Sequence, residues 1–303
     1  MTISEIRKHL EEGTKTAREI VDACLDRIAQ EDGAIGAFLE VFEADARIAA
    51  DEIDARVKAG EPLGPLAGVP IAIKDNIFIQ GKTASAASRM LEHYKAPYSA
   101  TVVERLRAAG AIIIGRTNMD EFAQGSSCEN SAFGVTKNPH DLDYVSGGTS
   151  GGSAAAVAAG FVPVALGSDT GGSVRNPASL CGLVGLKPTY GAVSRYGLIA
   201  AVSSFDQIGP LATTVQDAAE VFRVIGGHDE KDATSLTVGA PVPELGPMDV
   251  KGLRIGVPKQ FFNDGLHEDV QTAVKTAIAT YEHAGATIVE LDIPILDAAL
   301  AVY

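Results

Sequence analysis

Ser146-Gly147-Gly148-Thr149-Ser150-Gly151-Gly152-Ser153 and Gly167-Ser168-Asp169-Thr170-Gly171-Gly172-Ser173-Val174-Arg175-Asn176-Pro177 are the stretches on which the reading of this chain turns. Both set Gly-Gly pairs beside hydroxyl side chains. Between them lie an Ala-rich run, residues 153–159, that predicts a helix, and an apolar run, residues 162–166, that predicts a strand. Glycine is used where the backbone takes conformations other residues avoid, or where it approaches something closely. Two hydroxyl-bearing loops, separated by one helix and one strand, predict a site built from backbone amides and serine chemistry.

Upstream, residues 1–60 read as a helical N-terminal arm. Thr2 with Glu5 and Thr16 with Glu19 have the capping-box spacing, and a third helix is expected over 43–59. The arm is read as a clasp on its own domain. The Gly- and Pro-rich stretch 60–68 is punctuation. Residues 69–73 then form an apolar run that ends in Lys74-Asp75-Asn76. This is a buried strand with polar groups at its carboxyl end, where α/β folds place functional residues.

Residues 61–303 read as the core. Thr101 with Glu104 is expected to start a helix, and 111–114 a strand. Residues 115–138 are expected to be loop plus a short helix. Thr213 with Gln216 is expected to start a helix that stops at Gly226-Gly227. Strand 253–257, helix 269–283 and strand 287–291 have a βαβ rhythm. The alternation predicts an α/β fold: a large mixed sheet with helices on both faces. The sequence stops at Tyr303 soon after a strand, so the core reads as incomplete at its C-terminal end.

Among 303 residues, 46% are hydrophobic, which supports a sizeable core. The net charge of −14 argues against a broad basic surface for nucleic acid. The three cysteines, Cys24, Cys128 and Cys181, form neither a CxxC motif nor a disulfide framework, so a reducing, cytoplasmic setting is expected. No run reads as membrane-spanning, and no cluster has metal-ligand spacing.

The residues also narrow the chemistry. Alone, Ser173 would read as a helix N-cap. After Gly171-Gly172 it also sits among backbone N–H groups that suit an oxyanion. A serine nucleophile needs a base. There is no GxSxG elbow, and none of the six histidines lies in a Gly-rich or strand-end setting of the kind a catalytic base needs. Lys74 is the best-placed base, because burial beside an apolar strand favours its neutral form. Lysine and serine act directly or through a second hydroxyl, with Thr149 and Ser150 as candidates. A phosphate-cradling role fits poorly: the first glycine cluster is followed by Ser153, not lysine.

At this point the chain resembles the amidase signature family, marked by a Ser–cis-Ser–Lys triad on a Gly- and Ser-rich stretch. The resemblance extends to 64–76 (GPLAGVPIAIKDN), 100–111, 115–134, 167–178, 182–198 and 203–211. Within the family, MDEF…GSSCENSAFG and SRYGL…SSFDQIGP resemble the A-subunit group of glutamyl-tRNA(Gln) amidotransferases. The resemblance implies that Ser173 is the nucleophile, Lys74 the general base and Thr149 the relay. Thr149 departs from the usual serine but keeps the hydroxyl, and Ser150 is the fallback. It implies an oxyanion hole from the Thr170, Gly171, Gly172 and Ser173 amides. Asp169 would orient the loop or the second hydroxyl, Arg175 would be structural and pair with carbonyls or a nearby acid, and Gly125, Ser126 and Ser127 would line the amide pocket.

The activity implied is glutamine hydrolysis that generates ammonia through an acyl-serine, with no cofactor in this chain. A partner B subunit would use ATP and magnesium to amidate Glu-tRNA(Gln), and a small C subunit would join the complex. The alternatives are a stand-alone small-amide hydrolase and an inactive truncated scaffold.

Overall fold

The computed structural model describes residues 1–237, 245–246 and 249–303. Contacts divide the chain into two compact units, Met1–Pro243 and Glu244–Tyr303.

In the first unit, α1 (Ile3–Glu12) and α2 (Ala17–Ile35) begin at the expected capping boxes on Thr2 and Thr16. A strand that the sequence reading lacked, β1 (Phe38–Val41), then interrupts the helical arm. The arm continues as α3 (Glu43–Lys58). Next come β2 (Pro70–Lys74), α4 (Thr101–Ala108) and β3 (Ile112–Thr117). Thr101 does not cap α4: the cap position is Ala100, and the Thr101 hydroxyl donates to Asp229 Oδ2 at 2.5 Å.

A two-strand ribbon, β4 (Lys137–Asn138) and β5 (Asp141–Val145), precedes the first glycine cluster. The cluster leads into α5 (Gly151–Ala158), then β6 (Val164–Asp169), the second cluster and α6 (Arg175–Leu180). The unit closes with β7 (Val184–Gly185), β8 (Gln207–Ala212) and α7 (Val215–Ile225). The α7 cap is Thr214 on the Asp217 amide, one residue later than the expected Thr213–Gln216 box.

The main sheet has the order β1-β3-β2-β6-β8-β7. β2 is parallel to β3 and β6, whereas β1, β8 and β7 join antiparallel, so the sheet is mixed as expected. Every residue of β2, β6 and β8 is buried. Successive strand side chains point to opposite faces, so both faces are covered at the centre. The Ala-rich α5 packs on β2, β3, β6 and β8, where small side chains allow close approach. The carboxyl ends of β2 and β6 therefore lie side by side, and they carry Lys74 and Ser168-Asp169.

The second unit holds β9 (Arg254–Pro258), α8 (Glu268–His283), β10 (Thr287–Leu291) and α9 (Ala299–Val302). β9 and β10 pair in parallel, the βαβ arrangement read from the sequence.

Candidate active site

Lys74 ends β2 with none of its surface exposed. Its Nζ lies 2.7 Å from Thr149 Oγ1, 2.9 Å from Ser168 Oγ and 3.4 Å from the Ser168 carbonyl oxygen. Burial pulls its pKa from the ordinary 10.5 to about 7, against the opposing pull of Cys128, Asp120, Asp169 and Asp206. An amine in this state loses its charge near neutrality and can accept a proton.

Thr149 is fully buried and follows a cis peptide from Gly148. Close packing explains the glycine: a Cβ on Gly148 would lie 2.1 Å from Asp120 Oδ2 and 2.9 Å from the Ser127 amide nitrogen. Asp120 binds the same segment through its backbone, since its N–H donates to the Thr149 carbonyl at 3.3 Å. Its buried carboxylate accepts the amides of Cys128 and Asn130, and so draws the 125–130 loop against the relay residue. Burial raises the Asp120 pKa, and the two amide bonds only partly oppose this. Gly125 and Ser126 are exposed and Ser127 is half-buried on this loop, beside the relay segment.

Ser150 is not placed as a second relay. Its Oγ donates to the Ser168 carbonyl at 3.2 Å and accepts the Ser168 amide at 3.3 Å, so it is committed to the β6 backbone. Its own amide donates to the Ser173 carbonyl at 3.1 Å. That bond ties the two glycine clusters together and sets Ser173, 7% exposed, beside the Thr149 segment.

The Ser173 loop is organised by Asp169. This buried carboxylate accepts the amides of Gly172 (3.0 Å), Val174 (3.1 Å) and Arg175 (3.3 Å), together with Arg175 Nε (3.1 Å) and Nη2 (2.9 Å). Burial works against the Asp169 charge, but these donors outweigh it and hold the carboxyl below the usual range. The expected oxyanion set is corrected in one respect. Gly172 has a single N–H, and that N–H is given to Asp169, so the candidate donors are Thr170, Gly171 and Ser173. Arg175 is half-exposed and bidentate on Asp169, in line with its expected pairing. Thr170 is held from its other side, where its hydroxyl donates to Asp206 Oδ1 at 2.5 Å.

The sequence reading missed Ser168 and Asn76. Both are buried, and Asn76 Nδ2 donates to Ser168 Oγ at 3.0 Å. Their only sequence signal is position, at the carboxyl ends of β2 and β6. Cys128 and Cys181 are buried, and desolvation pushes their thiols up to about 11 and 12, away from nucleophilic character. Among the described residues, no group of three or more His, Cys, Asp or Glu is placed to hold a metal, and no helix is long and apolar enough to cross a membrane.

Comparison with known proteins places the chain in a family. Residues 19–303 match the Amidase family model. The chain is 52% identical, over its whole length, to the A subunit of glutamyl-tRNA(Gln) amidotransferase from Alkaliphilus metalliredigens, and spans 62% of that protein. It superposes on the crystal structure of the A subunit of glutamyl-tRNA(Gln) amidotransferase from Thermotoga maritima with a TM-score of 0.85 at 42% identity, covering 100% of this chain and 64% of that one. A structure described as a vestigial protein complex that reveals the origins of an s-triazine catabolic enzyme gives a TM-score of 0.93 at 41% identity, covering 99% of this chain and 66% of that one. On the match of the family model over most of its length, the chain belongs to the amidase signature family.

Proposed function

We propose that this chain carries the glutamine-hydrolysing, ammonia-generating centre of a tRNA-dependent amidotransferase that converts Glu-tRNA(Gln) to Gln-tRNA(Gln). The carrying observation is the buried contact between Lys74 Nζ and Thr149 Oγ1 at 2.7 Å. Neutral Lys74 takes the Thr149 proton as Thr149 takes the proton of Ser173 Oγ. Ser173 attacks the side-chain amide carbon of glutamine. The amides of Thr170, Gly171 and Ser173 hold the oxyanion. The proton returns through Thr149 to the departing nitrogen, ammonia leaves, and water then cleaves the acyl-serine to release glutamate. The Gly125–Ser127 loop borders the pocket for the amide.

The amidotransferase reading is supported by the 52% identity to an A subunit over the whole chain. On this reading a B subunit, using ATP and magnesium, receives the ammonia and holds the tRNA, and a C subunit completes a cytoplasmic complex. The acidic net charge of −14 is consistent with leaving the tRNA to a partner. The Amidase family match is equally consistent with a second reading, hydrolysis of another small amide. Ammonia release from glutamine and from simple amides, with and without a B-type subunit, separates the two. Stimulation by the partner with preference for glutamine supports the amidotransferase, and partner-independent turnover of simple amides supports the second reading.

A further inference from the structure

The hydrogens around Lys74 raise a question of direction. A neutral lysine has two N–H groups and one lone pair. To act as a base toward Thr149, it must point the lone pair there and send both N–H groups elsewhere. Ser168 offers two acceptors, its carbonyl at 3.4 Å and its Oγ at 2.9 Å. Yet a serine hydroxyl is also a donor. If Ser168 turned its own hydrogen toward Nζ, it would occupy the lone pair that Thr149 needs.

Asn76 stands behind Ser168. Its Nδ2 donates to Ser168 Oγ at 3.0 Å and to the Ile199 carbonyl at 3.4 Å. The second contact fixes the amide orientation, because the flipped amide would face one carbonyl oxygen with another. With Asn76 donating to one Oγ lone pair and Lys74 to the other, the Ser168 hydrogen points away from Nζ. Asn76 is 1% exposed, and its Oδ1 is buried without a hydrogen-bond partner among the described residues. The Asn76 side chain thus meets the lysine site through its amide nitrogen.

We propose that Asn76 is a positioning residue that holds the Ser168 hydroxyl as an acceptor toward Lys74 and keeps the lysine lone pair directed at Thr149. This rests on the reading of Lys74 as the base. When Lys74 takes up the proton, its three N–H groups meet three acceptors already in place: Thr149 Oγ1, Ser168 Oγ and the Ser168 carbonyl. Without Asn76, the Ser168 hydrogen is free to turn to the neutral amine. That stabilises the neutral form, so the Lys74 titration moves to lower pH even as turnover falls. The other titratable groups acting on Lys74 are Cys128, Asp120, Asp169 and Asp206. Asp75, its neighbour in sequence, is held by Arg116 at 2.7 Å.

The test is a double-substitution cycle on the full chain with Asn76→Leu and Ser168→Ala, and with Asn76→Ala as a second variant should the leucine disturb folding. Lys74 is titrated by NMR of 13Cε-labelled lysine in Ser173→Ala protein, its signal assigned by its loss in Lys74→Arg. The expected result is a lower titration midpoint in the Asn76 variants and no further effect of Asn76 once Ser168 is alanine. An unchanged midpoint, or a shift that persists in the Ser168→Ala background, overturns the proposal. In the Ser173-containing protein, Asn76→Leu is expected to lower plateau kcat about tenfold with little change in KM. If the wild-type chain hydrolyses no amide, the functional reading fails, while the NMR cycle still decides the role of Asn76.

Discussion

The Ser150 amide donates to the Ser173 carbonyl at 3.1 Å, and this one bond joins the loop that carries the relay hydroxyl to the loop that carries the candidate nucleophile. Ser150 is in turn anchored through Oγ to both backbone groups of Ser168, the residue that faces Lys74. The three members of the triad thus hang on one strand end, and the consequences can be tested residue by residue.

Thr149 is the residue most open to a clean experiment. Thr149→Ser keeps the hydroxyl that meets Lys74 Nζ at 2.7 Å, and turnover should stay within a few-fold of wild type. Thr149→Val keeps the shape and removes the hydroxyl, and kcat should fall by about 10²-fold or more. Steady-state kinetics on the two variants check this, and equal rates would remove Thr149 from the proton path.

The pH dependence follows from burial of Lys74. Its pKa is lowered from 10.5 to about 7, so the acid limb of kcat should rise through about pH 7 as the base becomes neutral. The same shift affects stability. Between about pH 7 and 10.5 the unfolded chain binds this proton and the folded chain does not, so this group makes stability rise with pH across that window. Below about pH 7 the burial of a charged lysine is felt in full. Urea titrations of wild type and Lys74→Met across pH 6 to 10 measure the difference, which should narrow at alkaline pH if the destabilisation comes from the charge.

Gly148→Ala should fold poorly. The added Cβ would lie 2.1 Å from Asp120 Oδ2 and 3.0 Å from the Cys128 amide nitrogen, and both neighbours are held by their mutual hydrogen bond. A loss of about 2–3 kcal/mol is expected for such overpacking. Thermal unfolding compared with Gly33→Ala, where the backbone is not left-handed and a Cβ meets nothing within 4 Å, isolates the steric part from the general effect of replacing glycine.

Asp169→Asn should lower kcat more than it raises KM. The carboxylate gathers the Gly172, Val174 and Arg175 amides and the Arg175 guanidinium around the Ser173 loop, and an amide in its place accepts at only one atom. Kinetics on Asp169→Asn and Arg175→Gln should show the larger loss for the aspartate, because Arg175 is half-exposed and water can replace part of its contact.

Much of this arrangement is legible in the sequence where the determining contacts are local. The capping boxes at Thr2 and Thr16 are four-residue patterns, and both form. Thr101 has the same pattern and does not cap, because Asp229, far along the chain, claims its hydroxyl. β8 escapes a propensity reading since Gly209-Pro210 punctuates it, although it pairs with β6 along its whole length. Lys74 and Ser173 stand out through their glycine-rich or strand-end settings. Ser168 and Asn76 do not, because their significance comes from the parallel pairing of β2 with β6, which only the folded sheet supplies.

The most direct test of the central claim is glutamine-dependent ammonia release by the wild-type chain with a B-type subunit, beside Ser173→Ala and Lys74→Met. Wild type should release ammonia, and both variants should lose that release by at least about 10³-fold. Release that survives Ser173→Ala would contradict the acyl-serine mechanism, and a folded wild-type chain that releases no ammonia with its partner would contradict the assignment of this centre as the glutaminase.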